Sequence, residues 1–251
     1  MKWGSILLVV FVLAIELRGQ GYAWQPSPRR PYTAPTTFYG LEVGTGYTQH
    51  WGDLPYLEKD IVTPCCSYER GSGSVLRLGL VAERWITPNR AIALRLGVQQ
   101  HAAEFASSTT SLARRNQEPL VTQYHLETRT TQLQLSAEVR QRIGASMAVI
   151  SAGLRGNVAV RATMINREVA LGQGSTFLDG TREQSLPTTG LDDAAILVVE
   201  PYLCVGYDVP LSFGIILEPY LQAGYSVTSV SSLYSWRYLD VSLGVRLMRG
   251  R

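Results

Sequence analysis

Tyr39-Gly40-Leu41-Glu42-Val43-Gly44-Thr45-Gly46-Tyr47 is the stretch that decides the fold. Its odd positions include Tyr39, Leu41, Val43 and Tyr47, and its even positions hold only glycine or Glu42. A period of two is the mark of a β-strand whose faces differ. The same alternation returns over Leu76–Glu83, Ile92–Gln99, Leu133–Arg140, Ile150–Arg161, Leu197–Gly206, Ile215–Gly224 and Leu239–Leu247. With the first, that predicts eight strands, each near the roughly ten residues a membrane-crossing strand needs.

The connections alternate too. Thr87-Pro88-Asn89-Arg90, Gly144-Ala145-Ser146 and Asp208-Val209-Pro210-Leu211-Ser212 read as tight turns, with Pro, Gly, Asn or Asp at each break. Gly52 to Ser72, Glu104 to Thr122 and Asn166 to Asp193 read as long loops, and Ser229 to Leu233 as a shorter one. Short turns at one end and long loops at the other predict an all-β, eight-stranded antiparallel up-and-down transmembrane β-barrel. Its turns would be periplasmic and its loops extracellular.

A soluble sandwich would alternate as well, so the polar face has to separate the two. It carries glycine at Gly40, Gly44, Gly46, Gly79, Gly97, Gly153, Gly206, Gly224 and Gly244. Small residues suit a crowded lumen, whereas a solvated face has no need of them. Its charges also balance. Glu42, Glu83, Glu138, Glu200, Glu218 and Asp240 face Arg77, Arg95, Arg140, Arg155, Arg161 and Arg246, six against six with no lysine. Arginine is the side chain for forked pairing with carboxylates, and a water-poor lumen requires such pairing. These twelve are expected to form a salt-bridged lumen network.

Aromatic residues end the apolar stripes. Tyr39 and Tyr47 bracket the first strand, Tyr207 and Phe213 flank a turn, and Tyr225 closes the seventh strand. Eight steps from Tyr39 to Tyr47 rise ~20 Å along a tilted barrel, close to the height of an aromatic-girdled apolar band. Val199-Glu200-Pro201-Tyr202-Leu203-Cys204-Val205-Gly206-Tyr207 is repeated as Leu217-Glu218-Pro219-Tyr220-Leu221-Gln222-Ala223-Gly224-Tyr225. Two prolines in matching strand positions predict a break or bend in the wall.

The composition agrees. Of 251 residues, 45% are hydrophobic and 17% charged, with a net charge of +3 and a mean hydropathy of +0.02. Ordinary domains hold about a quarter charged residues. The shortage excludes a charged disordered chain and a nucleic-acid binder with a clustered basic face. Residues 1–23 read as a signal peptide: Lys2, then ten apolar residues from Ile6 to Ile15, then Gly21-Tyr22-Ala23. Residues 24–36 hold Pro26, Pro28, Pro31 and Pro35 and read as a Pro-rich periplasmic tail. The barrel is expected over 37–248.

Chemistry-bearing motifs are sparse. Cys65 and Cys66 are adjacent in the first loop, a possible loop disulfide, and Cys204 projects into the lumen. Neither a metal nor a cofactor is expected, because no His or third Cys stands at ligand spacing and no nucleotide motif is present. His50, His101 and His125 sit near the loop ends of their strands without a nearby serine at motif spacing. The chain resembles the small eight-stranded bacterial outer-membrane barrels, and more loosely the outer-membrane β-barrel domain proteins of Bacteroidetes-type bacteria. Tyr238-x-Asp240-x-Ser242-x-Gly244-x-Arg246 is similar to the closing strand of that family. The resemblance implies a place in the bacterial outer membrane among its lipids, insertion by the barrel-assembly machinery, and a protein or ligand partner at the loops. The expected function is non-enzymatic: structural, surface-binding or secretion-associated. The alternatives are a narrow small-solute channel and a hydrolase using a rim histidine.

Overall fold

The computed structural model describes residues 35–251 apart from 56–66, 108–109, 113–119, 145, 172–175, 178, 186–187, 192 and 213. The segment expected to be a signal peptide, that expected to be a Pro-rich tail up to residue 34, Cys65 with Cys66, and Phe213 therefore lie outside the described residues. Twelve strands are described: β1 Thr37–Pro55, β2 Ser67–Thr87, β3 Arg90–Ala106, β4 Thr110–Leu112, β5 Leu120–Arg142, β6 Ala148–Leu171, β7 Glu183–Ser185, β8 Thr189–Gly190, β9 Leu197–Tyr207, β10 Val209–Ser212, β11 Ile215–Tyr225 and β12 Trp236–Gly250. Eight of them form the wall in the order β5-β3-β2-β1-β12-β11-β9-β6, and β5 pairs with β6 to close the ring. Every described pairing is antiparallel. Closure leaves no open sheet edge, the condition for strands to cross lipid.

The polarity is inverted relative to a water-soluble domain. Leu78, Leu135 and Leu203 are each 62–63% exposed, as part of an outward apolar belt carried by all eight staves. Arg77, Arg95, Arg140, Arg155 and Arg246 are at most 1% exposed. A contiguous apolar surface of this extent has no stable place in water; in a bilayer it costs nothing. No helix among the described residues is long and apolar enough to cross a membrane, so the strands do the crossing. Tyr39, Tyr47 and Tyr225 lie on the outer face, and Tyr207 is half-buried.

Three sequence expectations need correction. The staves are longer than the apolar alternation. β5 has 23 residues and β6 has 24. At ~3.3 Å per residue and a tilt near 40° they rise ~55–60 Å, about twice the bilayer core. Pairing continues through Thr128-Arg129-Thr130-Thr131-Gln132, because β-branched threonine suits a strand without needing an apolar face. Much of each predicted long loop is thus strand. Secondly, Asp208 to Ser212 is not a tight turn: β10 pairs with β11 there, and the reversal falls near Gly214, whose φ of 75° is left-handed. Thirdly, the register slips between Thr131 and Gln132, which face Arg161 and Ala159 and leave Val160 unpaired. This β-bulge reverses the facing of the strand, so Arg161 is exposed on the outer wall and is not a lumen residue.

The β9–β11 ladder is the shortest of the wall, with five residue pairs from Tyr220↔Gly206 to Gly224↔Tyr202. It stops where Pro219 and Pro201 would come next, since proline has no N–H to donate.

A cationic side chain on the lipid face tests the membrane reading. Leu78→Arg should lose about 2–4 kcal/mol in urea unfolding from lipid vesicles, and Leu78→Ala less. Equal stability of Leu78→Arg and the parent would sink it.

Candidate functional site

The lumen is the most densely constructed part of the molecule. Alternation along each stave turns one side chain in two inward, and glycines in the same rows leave room for the large ones. The buried charges are Glu42, Glu83, Glu138, Glu200, Asp208, Glu218 and Asp240 with Arg77, Arg95, Arg140, Arg142, Arg155 and Arg246, seven carboxylates and six guanidiniums among the described residues. Asp208 and Arg142 went unread in the sequence. Both lie one alternation step beyond a recognised inward residue, Gly206 and Arg140, and Asp208 looked like a turn residue.

Near the turn end, Arg140 donates to Glu83 and lies 2.7 Å from Glu218, and Arg142 lies 2.9 Å from Asp208. Arg246 reaches Glu42 at 3.2 Å, Glu218 at 3.1 Å and Glu138 at 3.6 Å. Arg95 pairs with Glu138 and lies 3.5 Å from Glu42. Toward the loop end, Arg77 pairs with Asp240 and donates to Ser242, while Arg155 meets Glu200 at 2.9 Å. Asn157 and the Tyr238 hydroxyl also donate to Glu200, at 3.2 and 3.0 Å. Tyr202 links the two groups, because the Arg95 and Arg155 guanidiniums lie 5.2 and 4.9 Å from its ring centre.

The repeated segments of β9 and β11 interlock. A Cβ added at Gly206 would strike the Glu218 carboxylate, and one at Gly224 would strike Glu200. Each repeat thus uses its glycine to seat the other's glutamate. Tyr220 and Tyr202 use glycines likewise: a Cβ at Gly44 would lie 2.7 Å from the Tyr220 hydroxyl, and one at Gly153 2.6 Å from that of Tyr202. Cys204 is a free, buried thiol 3.7 Å from Arg246.

Apolar clusters close both ends of this network. At the loop end Leu54, Tyr68, Phe105, Tyr124, Leu126 and Trp236 are among the residues that pack together. At the turn end Phe38, Val81, Trp85, Val149, Ile216 and Met248 do so. Two of the three histidines come together, since His50 and His101 line one small cavity at the loop end and both pack on the Tyr238 ring, while His125 stands apart. His50 Nδ1 accepts from Trp236 Nε1 at 3.0 Å, which fixes its Nε2 as donor to Thr48 at 2.9 Å. His101 is buried beside Tyr238, with a ring-centre distance of 5.0 Å. His125 lies 3.2 Å from the exposed Glu104. Outside the barrel, the N–H and hydroxyl of Thr181 donate to Asp179 at 3.0 and 2.7 Å and hold its carboxyl below the usual range. No group of three or more potential metal ligands occurs among the described residues.

This is the architecture of a bacterial outer-membrane β-barrel: a closed antiparallel wall with its apolar face to lipid and its charges inside. Comparison with family models and with curated proteins gives no match. Solved barrels of similar outline include Ail, the attachment invasion locus protein of Yersinia pestis (8% identity, 85% of this chain and 99% of that one, TM-score 0.32). OprG from Pseudomonas aeruginosa (12%, 86% and 95%, 0.35) and the outer membrane protease OmpT from Escherichia coli (8%, 89% and 99%, 0.35) are two others. At this level of likeness no role carries across.

Two substitutions probe the network. Arg246→Ala removes the guanidinium that Glu42, Glu138 and Glu218 share, leaving the first two to Arg95 and the third to Arg140, and should cost about 3–5 kcal/mol, whereas Arg249→Ala on the outer face should change stability by less than about 0.5 kcal/mol. Unfolding midpoints in vesicles would read both. In the interlock, Gly224→Ala should cost about 1–3 kcal/mol through overpacking. Shortening its neighbour by Glu200→Asp should recover part of that loss in a double-mutant cycle; strict additivity would show that the two do not touch.

Proposed function

We propose that the protein is a non-enzymatic outer-membrane barrel whose lumen is structural and whose loop end is its interaction surface. The observation that carries this reading is a lumen of buried, paired charges with an apolar cluster at each end. Eight strands leave an interior only just wide enough for side chains, and here the side chains fill it. Function then falls to what stands beyond the bilayer. The loop-end parts of β5 and β6 with β7 alongside, carrying the Glu127–Arg167–Glu183 ion pairs and the neighbouring Glu104–His125 contact, supply that surface. In this reading the loop end faces outward, the barrel-assembly machinery inserts the chain, and the partner is a protein or ligand at the loops. Kinship with the Bacteroidetes-type barrel family rests on the closing strand Tyr238 to Arg246.

A narrow channel is the second reading. Gln134 Oε1, Asn157 Oδ1 and Gln222 Nε2 are buried in the lumen without a hydrogen-bond partner among the described residues, and a water file would satisfy them. Planar bilayers separate the two. The sealed-lumen reading expects no unitary conductance from the reconstituted protein; reproducible steps abolished by Gln222→Leu would replace it with the channel. Hydrolysis of an ester or peptide substrate, lost in His125→Ala, would replace it with the enzyme.

A further inference from the structure

The bulge in β6 has an effect at the membrane surface. Below it Arg155 and Asn157 point into the lumen; above it Ala162 is inward and Arg161 lies on the outer wall. Arg129 of β5 is exposed on the same wall, and its cross-strand partner is Thr163, two residues from Arg161. Diagonal neighbours on one face of a sheet are ~7–8 Å apart, within reach of a single small anion for two arginine side chains. The bulge therefore brings a second guanidinium to the first.

The level is as informative as the pairing. Toward the turn end, past the half-buried Thr131 opposite Arg161, the outward residues are Leu133 on β5 and Val160 and Val158 on β6, these three exposed and apolar. Toward the loop end come Glu127 on β5 and Thr163, Ile165 and Arg167 on β6, all half-buried, with Glu127 and Arg167 paired with each other. The two arginines thus stand where the lipid-facing stripe stops, the height of the headgroups. Among the described residues neither Arg129 nor Arg161 forms an ion pair with a carboxylate. Of the outward carboxylates nearby, Glu127 is held by Arg167, which Glu183 also approaches at 3.4 Å, and Glu104, diagonal to Arg129 on β3, lies 3.2 Å from His125. Two permanent, adjacent positive charges repel one another unless an anion lies between them. Forked guanidiniums favour phosphate oxygens, which they can grip in pairs.

We propose that Arg129 and Arg161 form a clamp for the phosphomonoester of a lipid headgroup in the leaflet at the loop end. A phosphomonoester carries about −1.5 to −2 charges at neutral pH, against the single charge of a phosphodiester. It is the lipid group that best offsets two guanidiniums. The proposal rests on the membrane orientation above but not on the sealed lumen, so bilayer conductance would overturn that reading and leave this one standing.

The test uses the whole protein in phosphatidylcholine nanodiscs doped with diphosphoryl lipid A, with retention measured by native mass spectrometry. Wild type should hold diphosphoryl lipid A in preference to phosphatidylcholine. Arg129→Gln with Arg161→Gln should weaken that retention about tenfold or more. Arg84→Gln with Arg90→Gln, both exposed at the turn end, should leave it within about twofold. Arg129→Lys with Arg161→Lys keeps both charges without the fork and should still lose several-fold, so the answer does not hang on the glutamine pair alone. Heat-modified migration on gels verifies that each variant is folded. Undiminished retention by the folded glutamine and lysine pairs would overturn the proposal. So would displacement of the lipid by inorganic phosphate at equal concentration, which would reveal a site for the free ion.

Discussion

Everything in this molecule follows from charges that have to be paired because they are taken out of water. A bilayer outside forbids them on the wall, and apolar clusters at both ends deny them solvent. The pairing also fixes the wall. Glu42 is the direct cross-strand partner of Arg246 in β1–β12, and Glu218 its partner in β11–β12. One guanidinium therefore aligns three staves. Glu200 is opposite Arg155 across β6 and β9 in the same way. A slip of one residue would put these groups into lipid, and a slip of two would separate each from its partner. The apolar belt holds the barrel in the membrane, but it is uniform enough to tolerate a shift by two. The charges are what make one register right.

Glycine and tyrosine carry the second half of that design. A network of side chains this large fits inside eight strands only if other inward positions carry no Cβ. Gly206 and Gly224 seat Glu218 and Glu200, and Gly44 and Gly153 lie against Tyr220 and Tyr202. The tyrosines in turn present ring faces to the arginines, with Arg246 4.4 Å from the Tyr220 ring centre. The weakest ladder of the wall, β9–β11, is the one across which the two repeats exchange glutamates. Side-chain packing inside stands in there for backbone hydrogen bonds that Pro201 and Pro219 do not make.

The fold was legible because lipid imposes a strict alternation, and eight runs of it could be counted in the chain. The same alternation assigns Glu42, Arg77, Glu83, Arg95, Glu138, Arg140, Arg155, Glu200, Glu218, Asp240 and Arg246 to one face, and all eleven are buried. It failed where the rule is suspended. Beyond the bilayer, pairing needs no apolar face, so the upper halves of β5 and β6 fell outside the strands read from alternation and their tips read as loop. Asp208 was masked by Val209 and Pro210, which look like turn chemistry but form β10. Nothing in Ala159-Val160-Arg161 announces a bulge, since each residue fits a strand equally well in either facing. Only the partner strand reveals the extra residue.

Arg161 also shows the constraint from the other direction. Continued alternation would have carried it into the lumen near Gln132, Thr130 and His101, where no described carboxylate awaits it and the apolar loop-end cluster begins. An unpaired guanidinium there would bear the full cost of desolvation. The bulge exchanges it for Ala162, which packs against that cluster, and moves the charge to the rim, where water and headgroups solvate it. Val160 stays among the lipid-facing residues at 63% exposure. One inserted residue thus keeps three side chains in the phase each requires. The register break is accordingly a consequence of the rule that orders the lumen, applied at the level where the lumen ends.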